Sequence, residues 1–187
     1  MAKFQGQKIW GAAALAGAML VTAGCTTGAD KPDVVTSPPS DASAHLVDAR
    51  GADRGRVDIY RTSSGLRLEV VARGFAPGQY GMHVHSVGQC AGPDFASAGG
   101  HWNPTSKQHG RDNPQGAHHG DLPNLVIDSG EIGRATVNLV GTRLDGDGAL
   151  IDADGAAFVI HAGPDDYRSD PAGNSGARVA CGVITRG

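Results

Sequence analysis

Wherever this chain carries a regular apolar pattern beyond residue 43, the period is two. Arg56–Tyr60 (RVDIY), Leu66–Val71 (LRLEVV), Gly81–His85 (GMHVH) and Arg134–Val140 (RATVNLV) alternate apolar and polar residues, and Ala157–His161 and Val179–Ile184 are shorter apolar runs. Such alternation turns one face of a strand to a core and the other to a surface, and the Gly, Pro, Asp and Asn between the runs mark turns. No stretch of ten or more residues after the leader has the spacing of an amphipathic helix. The pattern predicts an all-β fold, a sandwich or a barrel. With 187 residues the chain has the length of one domain with a sizeable core.

The first 43 residues read differently. Lys3 and Lys8 precede the apolar run Ile9–Val21, and small residues then lead to Cys25 in the string LVTAGC. Residues 1–24 therefore read as a secretory signal peptide, too short for a membrane-spanning helix. A cysteine after Ala23 and Gly24 resembles the lipobox of bacterial lipoproteins, although Thr22 stands where that motif has Leu, Val or Ile. We expect lipidation at Cys25, a possible route to membrane anchoring in the cell envelope. Residues 25–43 are polar, with Pro32, Pro38 and Pro39 and no apolar period, and read as a disordered tether. The folded domain is expected over 44–187.

Two long stretches lack strand character, Ser86–Leu122 and Ala162–Ala177. Structureless loops of that length in a compact domain usually carry function. Six of the eight histidines fall between His83 and His119, and a seventh is His161. Net charge is −3 and Lys and Arg do not cluster, which argues against nucleic acid as a partner.

His83 and His85 are two apart in a strand, so their imidazoles project to one side while Val84 faces the other. Neutral imidazole is the commonest protein ligand for copper and zinc. His101, His109, His118 and Asp121 follow at spacings a loop can fold around one ion, and three nitrogens with one carboxylate oxygen suit tetrahedral zinc. On spacing alone, His119 competes with His118. His161 closes the run AAFVIH and can reach a site built by other strands; His45 reads as an ordinary polar residue of a first strand. Cys90 and Cys181 are the cysteines of the mature fold apart from Cys25, and an exported, oxidising setting predicts that they pair.

The strings GMHVHSVGQC, AGGHWNP, HGRDNPQGAHHGDLPN, FVIHAGPDDY and GNSGARVACGVI, in this order, resemble the bacterial copper/zinc superoxide dismutases. The resemblance covers most of the domain. It implies an eight-stranded Greek-key β-barrel with two long functional loops. It also implies copper on His83, His85, His101 and His161, and zinc on His101, His109, His118 and Asp121, with His101 shared as a bridging imidazolate. The family spacing selects His118 over His119. Asp165 matches an aspartate linking a copper histidine to a zinc histidine, and Arg178 matches the arginine that attracts the anionic substrate. The implied activity is dismutation of superoxide to dioxygen and hydrogen peroxide by one copper and one zinc per chain. Lys107, Arg111 and Arg168 are candidates for steering the anion. Monomer and homodimer both occur in the family, and the implied location is the periplasm or cell envelope. Met82 departs from the family, which usually has Phe there; in a strand it should face the core, away from His83 and His85.

Overall fold

The computed structural model describes residues 39–187; the signal peptide, Cys25 and most of the tether lie outside the described residues. Nine strands form one sheet: β1 (Ala42–Val47), β2 (Asp53–Thr62), β3 (Gly65–Arg73), β4 (Gly78–Tyr80), β5 (Met82–His85), β6 (Leu125–Ile127), β7 (Ile132–Val140), β8 (Ala157–His161) and β9 (Arg178–Arg186). β1 takes in Ala42 and Ser43, two residues that the sequence assigned to the tether. The one other regular element among the described residues is a turn of 3-10 helix at Ala96–Ala98.

The strands run in the order β4-β6-β7-β3-β2-β1-β9-β8-β5. β1, β2 and β3 form a meander. The chain then crosses to β4 and β5, returns through β6 to β7 beside β3, and crosses again to β8 and β9, which closes onto β1. These crossings are of the Greek-key kind.

β4 and β5 lie at opposite ends of the order, yet Gly81 alone separates them in the chain. The sheet therefore wraps into a nearly closed barrel, which leaves little free edge. β4 pairs with β6, and β5 pairs with β8. The Gly81 N–H donates to the Gly163 carbonyl at 2.7 Å, and its own carbonyl accepts from His161 N–H at 2.8 Å. A Cβ there would lie 2.8 Å from the Cβ of Ser175, which is why a side chain does not fit. Taken as one strand bent at Gly81, β4 and β5 give the eight strands expected from the sequence. Nine are counted because the bend exchanges one partner strand for another.

Alternation decides which side chains enter the barrel. Val57 and Ile59 of β2, Leu66, Leu68 and Val70 of β3, Met82 and Val84 of β5, and Phe158 and Ile160 of β8 all belong to one buried core. Met82 is wholly buried there. β5 and β8 are buried on both faces. The outer residues Ala157 and Val159 pack instead with Phe95, Ala98 and Cys181, with Cys90 alongside, in a smaller apolar layer under the first long loop.

Cys90 and Cys181 form a disulfide with Cα atoms 5.7 Å apart and a sequence separation of 91. The bridge ties the first loop to β9. Closing a loop of that size is worth about 4–5 kcal/mol if chain entropy alone counts. Urea unfolding of the metal-free protein with and without reductant should show a loss of up to that amount, with the far-ultraviolet circular dichroism of the native sheet retained before the transition. An unchanged midpoint would mean that the small apolar layer holds the loop without the bridge.

Candidate metal centre

Met82 and Val84 point into the barrel, so His83 and His85 point out of it. They are nevertheless 0% and 1% exposed. The cover comes from the first loop, whose backbone returns twice to β5. Val84 N–H donates to the Gly120 carbonyl at 2.9 Å, Trp102 N–H donates to Val84 O at 2.8 Å, and Gly120 N–H donates to Trp102 O at 2.8 Å. These contacts place His101 opposite His85 and Asp121 opposite His83. Glycine at 120 is required by this approach, since a Cβ there would sit 2.3 Å from Val84 O. β8 pairs with β5, so His161 at its end reaches the same place.

Each ring in the first group has one nitrogen fixed by a partner and one without. His85 Nδ1 faces the Gly99 carbonyl at 2.9 Å, and His161 Nδ1 faces the Gly176 carbonyl at 3.0 Å. His83 Nε2 faces Asp165 Oδ2 at 2.7 Å. These acceptors make the named nitrogens N–H donors and leave lone pairs on the others. His83 Nδ1, His85 Nε2, His101 Nε2 and His161 Nε2 are all buried with no hydrogen-bond partner. Ligating atoms of these four residues lie within 4.8 Å of one another. Four buried imidazole nitrogens left unpaired and facing each other would be costly unless a cation joined them.

The second group has a different donor set. Asp121 Oδ1 lies 2.8 Å from His101 Nδ1, 3.0 Å from His109 Nδ1 and 3.0 Å from His118 Nδ1. His101 Nδ1 is also 3.3 Å from His109 Nδ1 and 3.4 Å from His118 Nδ1. Bonds of about 2.0–2.1 Å to a tetrahedral ion imply ligand–ligand edges of about 3.3 Å. One small cation explains this spacing better than hydrogen bonds between imidazoles, and the residues fit zinc. His118 is the histidine at the cage, whereas His119 is exposed with its ring beside Trp102. His101 alone offers Nδ1 to one group and Nε2 to the other.

The surrounding groups hold this arrangement. Asp165 Oδ1 takes His109 Nε2 at 3.0 Å, so one carboxylate grips a ring from each group. Asp121 Oδ2 accepts the backbone N–H groups of Gly110 at 2.9 Å and His118 at 3.0 Å. Arg178 directs Nη1 to the Phe95 carbonyl and Nη2 to the Gly99 carbonyl, both at 2.6 Å. It lines a cleft with His85, His101, His118 and His161.

Electrostatics separate the two groups. Burial holds His83, His85 and His161 at about 3, about 2 and about 4, far below the usual imidazole value. All three are neutral at physiological pH, the form that binds metal. Burial also lowers His101. Burial pushes His109 down as well, but hydrogen bonds to Asp121 and Asp165 outweigh it and raise the ring to about 9. Asp121 and Asp165 are pushed up by burial and more than returned by their histidine and backbone partners, so both stay below the usual carboxylate range.

The structure thus gathers every candidate ligand of the sequence into two adjoining groups. Lys107, Arg111 and Arg168 are exposed on the loops, with the Arg111 guanidinium 3.8 Å from the centre of the Tyr167 ring. Three contributors escaped the sequence. The Gly99 and Gly176 carbonyls orient His85 and His161, and a backbone acceptor has no side-chain signature. Asn124 clamps Asp165, donating Nδ2–H to its carbonyl at 2.9 Å and accepting its N–H on Oδ1 at 2.8 Å. Its place three residues after Asp121 was the available signal.

Residues 53–184 match the family described as Copper/zinc superoxide dismutase (SODC). Superoxide dismutase (Cu-Zn) 2 of Aquifex aeolicus is 43% identical over 146 residues, covering 76% of this chain and 85% of the relative. The superoxide dismutase (Cu-Zn) of Caulobacter vibrioides is 40% identical over 147 residues, covering 76% and 84%. Among solved structures, a double mutant of a SOD-like protein from Bacillus subtilis superposes with a TM-score of 0.73 at 41% identity, covering 75% of this chain and 95% of that one.

The raised His109 value has a measurable consequence. Below about pH 9 the metal-free cage keeps a proton on His109, and a cation must displace it. Zinc affinity there should fall about tenfold for each pH unit below 9 while one proton is exchanged. His83, His85 and His161 of the other group are neutral down to about pH 4, so its affinity should depend far less on pH above that. Calorimetric titration at pH 7 in buffers of different ionisation enthalpy should therefore register about one proton released per zinc taken up. Zinc binding without proton release would contradict the protonated cage.

Proposed function

This chain belongs to the copper/zinc superoxide dismutase family, and we propose that it converts two superoxide anions and two protons to dioxygen and hydrogen peroxide at the two-group centre. The supporting observation is the set of four unpartnered, mutually facing imidazole nitrogens beside an oxygen-containing cage that shares His101. In this reading His83, His85, His101 and His161 hold copper, and His101, His109, His118 and Asp121 hold zinc. When bound, copper supplies one-electron redox chemistry and zinc a fixed charge with no redox step of its own.

The chain's own groups do the rest. Gly99, Gly176 and Asp165 fix the tautomers, so His83 presents Nδ1 and His85 and His161 present Nε2 to the centre without reorganising. His101 differs from the others because its second nitrogen, Nδ1, faces Asp121 of the cage. Its ring lines the cleft, and Nε2, the nitrogen without a protein partner, is the ring atom that can pass a proton to the reduced product. Arg178 supplies the positive field of the cleft wall. Its two carbonyl contacts fix the guanidinium, and no carboxylate lies in ion-pair range among the described residues. Arg178 is the one lysine or arginine in the cleft lining, so its charge is the one that draws an entering anion there.

The signal-like region over residues 1–24 and the disulfide support an exported enzyme in the periplasm or cell envelope, held there by lipid on Cys25. Metal analysis with an assay of superoxide removal tests the central claim. About one copper and one zinc per chain with activity supports it, and metal without activity refutes catalysis.

His161→Ala should lose copper and activity but keep the disulfide and the β-sheet spectrum, because the ring is one of four ligands and the fold rests on the barrel. Normal copper with full activity would remove His161 from the site. Arg178→Ala should keep both metals, lower kcat/KM by roughly tenfold or more at low ionic strength and flatten its dependence on salt. A rate unchanged at low salt would leave the arginine without a role in capture.

A further inference from the structure

Phe95 is a large residue in the left-handed region, φ 55°, and 1% exposed. Bulky L residues rarely adopt that backbone, so something must hold it there. The ring packs against Ala98, Ala157, Val159 and Cys181 on the outer side of β8 and β9. Asp94 Oδ1 accepts the Ala96 N–H at 3.0 Å, and the Phe95 carbonyl accepts the Ala98 N–H at 3.1 Å, which closes the turn. That same carbonyl accepts Arg178 Nη1, and Gly99, at the end of the turn, accepts Nη2. The guanidinium is therefore aimed by the backbone of residues 95–99. The disulfide does not by itself set this backbone, because the exposed residues 91–94, with Gly92 and Pro93 among them, intervene between Cys90 and Phe95. The buried ring is the closer anchor.

We propose that Phe95 is a positioning residue for Arg178: its buried ring and left-handed backbone fix the carbonyl that aims the guanidinium, and so set how tightly the cleft captures anions. This rests on the capture role assigned to Arg178 above. Gly99 O also accepts His85 Nδ1, so movement of the segment would reach a ring of the first group as well.

The test uses the metal-loaded full-length protein and azide as the anion, followed in the visible spectrum of the copper. Phe95→Ala should retain copper, zinc and the disulfide. Its azide dissociation constant should rise roughly threefold to tenfold, the scale of one ordinary hydrogen bond's net contribution, and kcat/KM at low salt should fall by a similar factor. A Leu and Ile pair guards against a variant that does not fold. Both are apolar and of equal volume, but the β-branched Ile tolerates this φ poorly. Phe95→Leu should bind azide nearly as the parent does, and Phe95→Ile should bind it more weakly. Adding Arg178→Ala to Phe95→Ala should bring little further loss beyond Arg178→Ala alone. Parent-like azide affinity in Phe95→Ala and Phe95→Ile, with a loss in Arg178→Ala, overturns the inference and leaves the proposed function standing. Parent-like affinity in Arg178→Ala as well overturns both the inference and the capture role.

Discussion

One carboxylate joins the two halves of the centre. Asp165 accepts His83 Nε2–H on one oxygen and His109 Nε2–H on the other, with its side chain out of water. A buried carboxylate without partners would be expensive. Here the two imidazoles satisfy it, and its own backbone is clamped by Asn124. The consequence runs outward. Since Nε2 of His83 is committed, Nδ1 is its free nitrogen; the same logic leaves Nδ1 of His109 for the cage. The choice of atom at one ring of each group follows from this residue of the second loop. Neither the barrel nor the first loop could make that choice alone, because the two rings reach Asp165 from different segments.

The barrel and the loops carry different kinds of cost. In the barrel, alternation at period two puts apolar side chains inside and satisfies the backbone through the ladder, so its stability needs no special chemistry. The loops bury polar rings and turn through strained positions such as Phe95 and Tyr167, both at positive φ. They hold because they are tied to the barrel at separate points: the bridge to β9, the ring of Phe95 against β8, and the paired backbone along β5. A site that needs atoms placed to a few tenths of an ångström is thereby built on irregular chain without losing rigidity.

Much of this was legible because the barrel's long strands are amphipathic. β2, β3 and β7 announce themselves by alternation, and His83-Val84-His85 carries both a strand and a ligand pair in one string. β4 and β6 were not legible. Three residues each are too few to show a period, and Gly-Gln-Tyr has no apolar face. The partner exchange at Gly81 was invisible too, since it depends on the close approach of Ser175 and Gly163 from a loop about 90 residues away. Within the site, side-chain ligands left a spacing to read. The carbonyls of Phe95, Gly99 and Gly176 left none, although they decide where Arg178, His85 and His161 point.

Net charge is a poor guide to what an incoming anion would feel. The chain is acidic as a whole. Yet the arginines of β2 and β3 are spent on neighbours: Arg54 on Asp48, Arg56 on Asp58, Arg61 on Asp41, Arg67 on Glu69 and Arg73 on Asp53. Each such pair is nearly neutral at a distance, and exposed pairs of this kind contribute little stability. Among the described residues Lys107, Arg111, Arg134, Arg143, Arg168 and Arg178 have no carboxylate in ion-pair range; Arg134 lies on β7 and Arg143 just after it, and the other four lie on the two loops or where the second loop meets β9. Pairing therefore leaves four of these six cations on or beside the two loops that line the cleft. A local field depends on where such charges sit rather than on their total, and Arg178 is the one member of the set that lines the cleft itself.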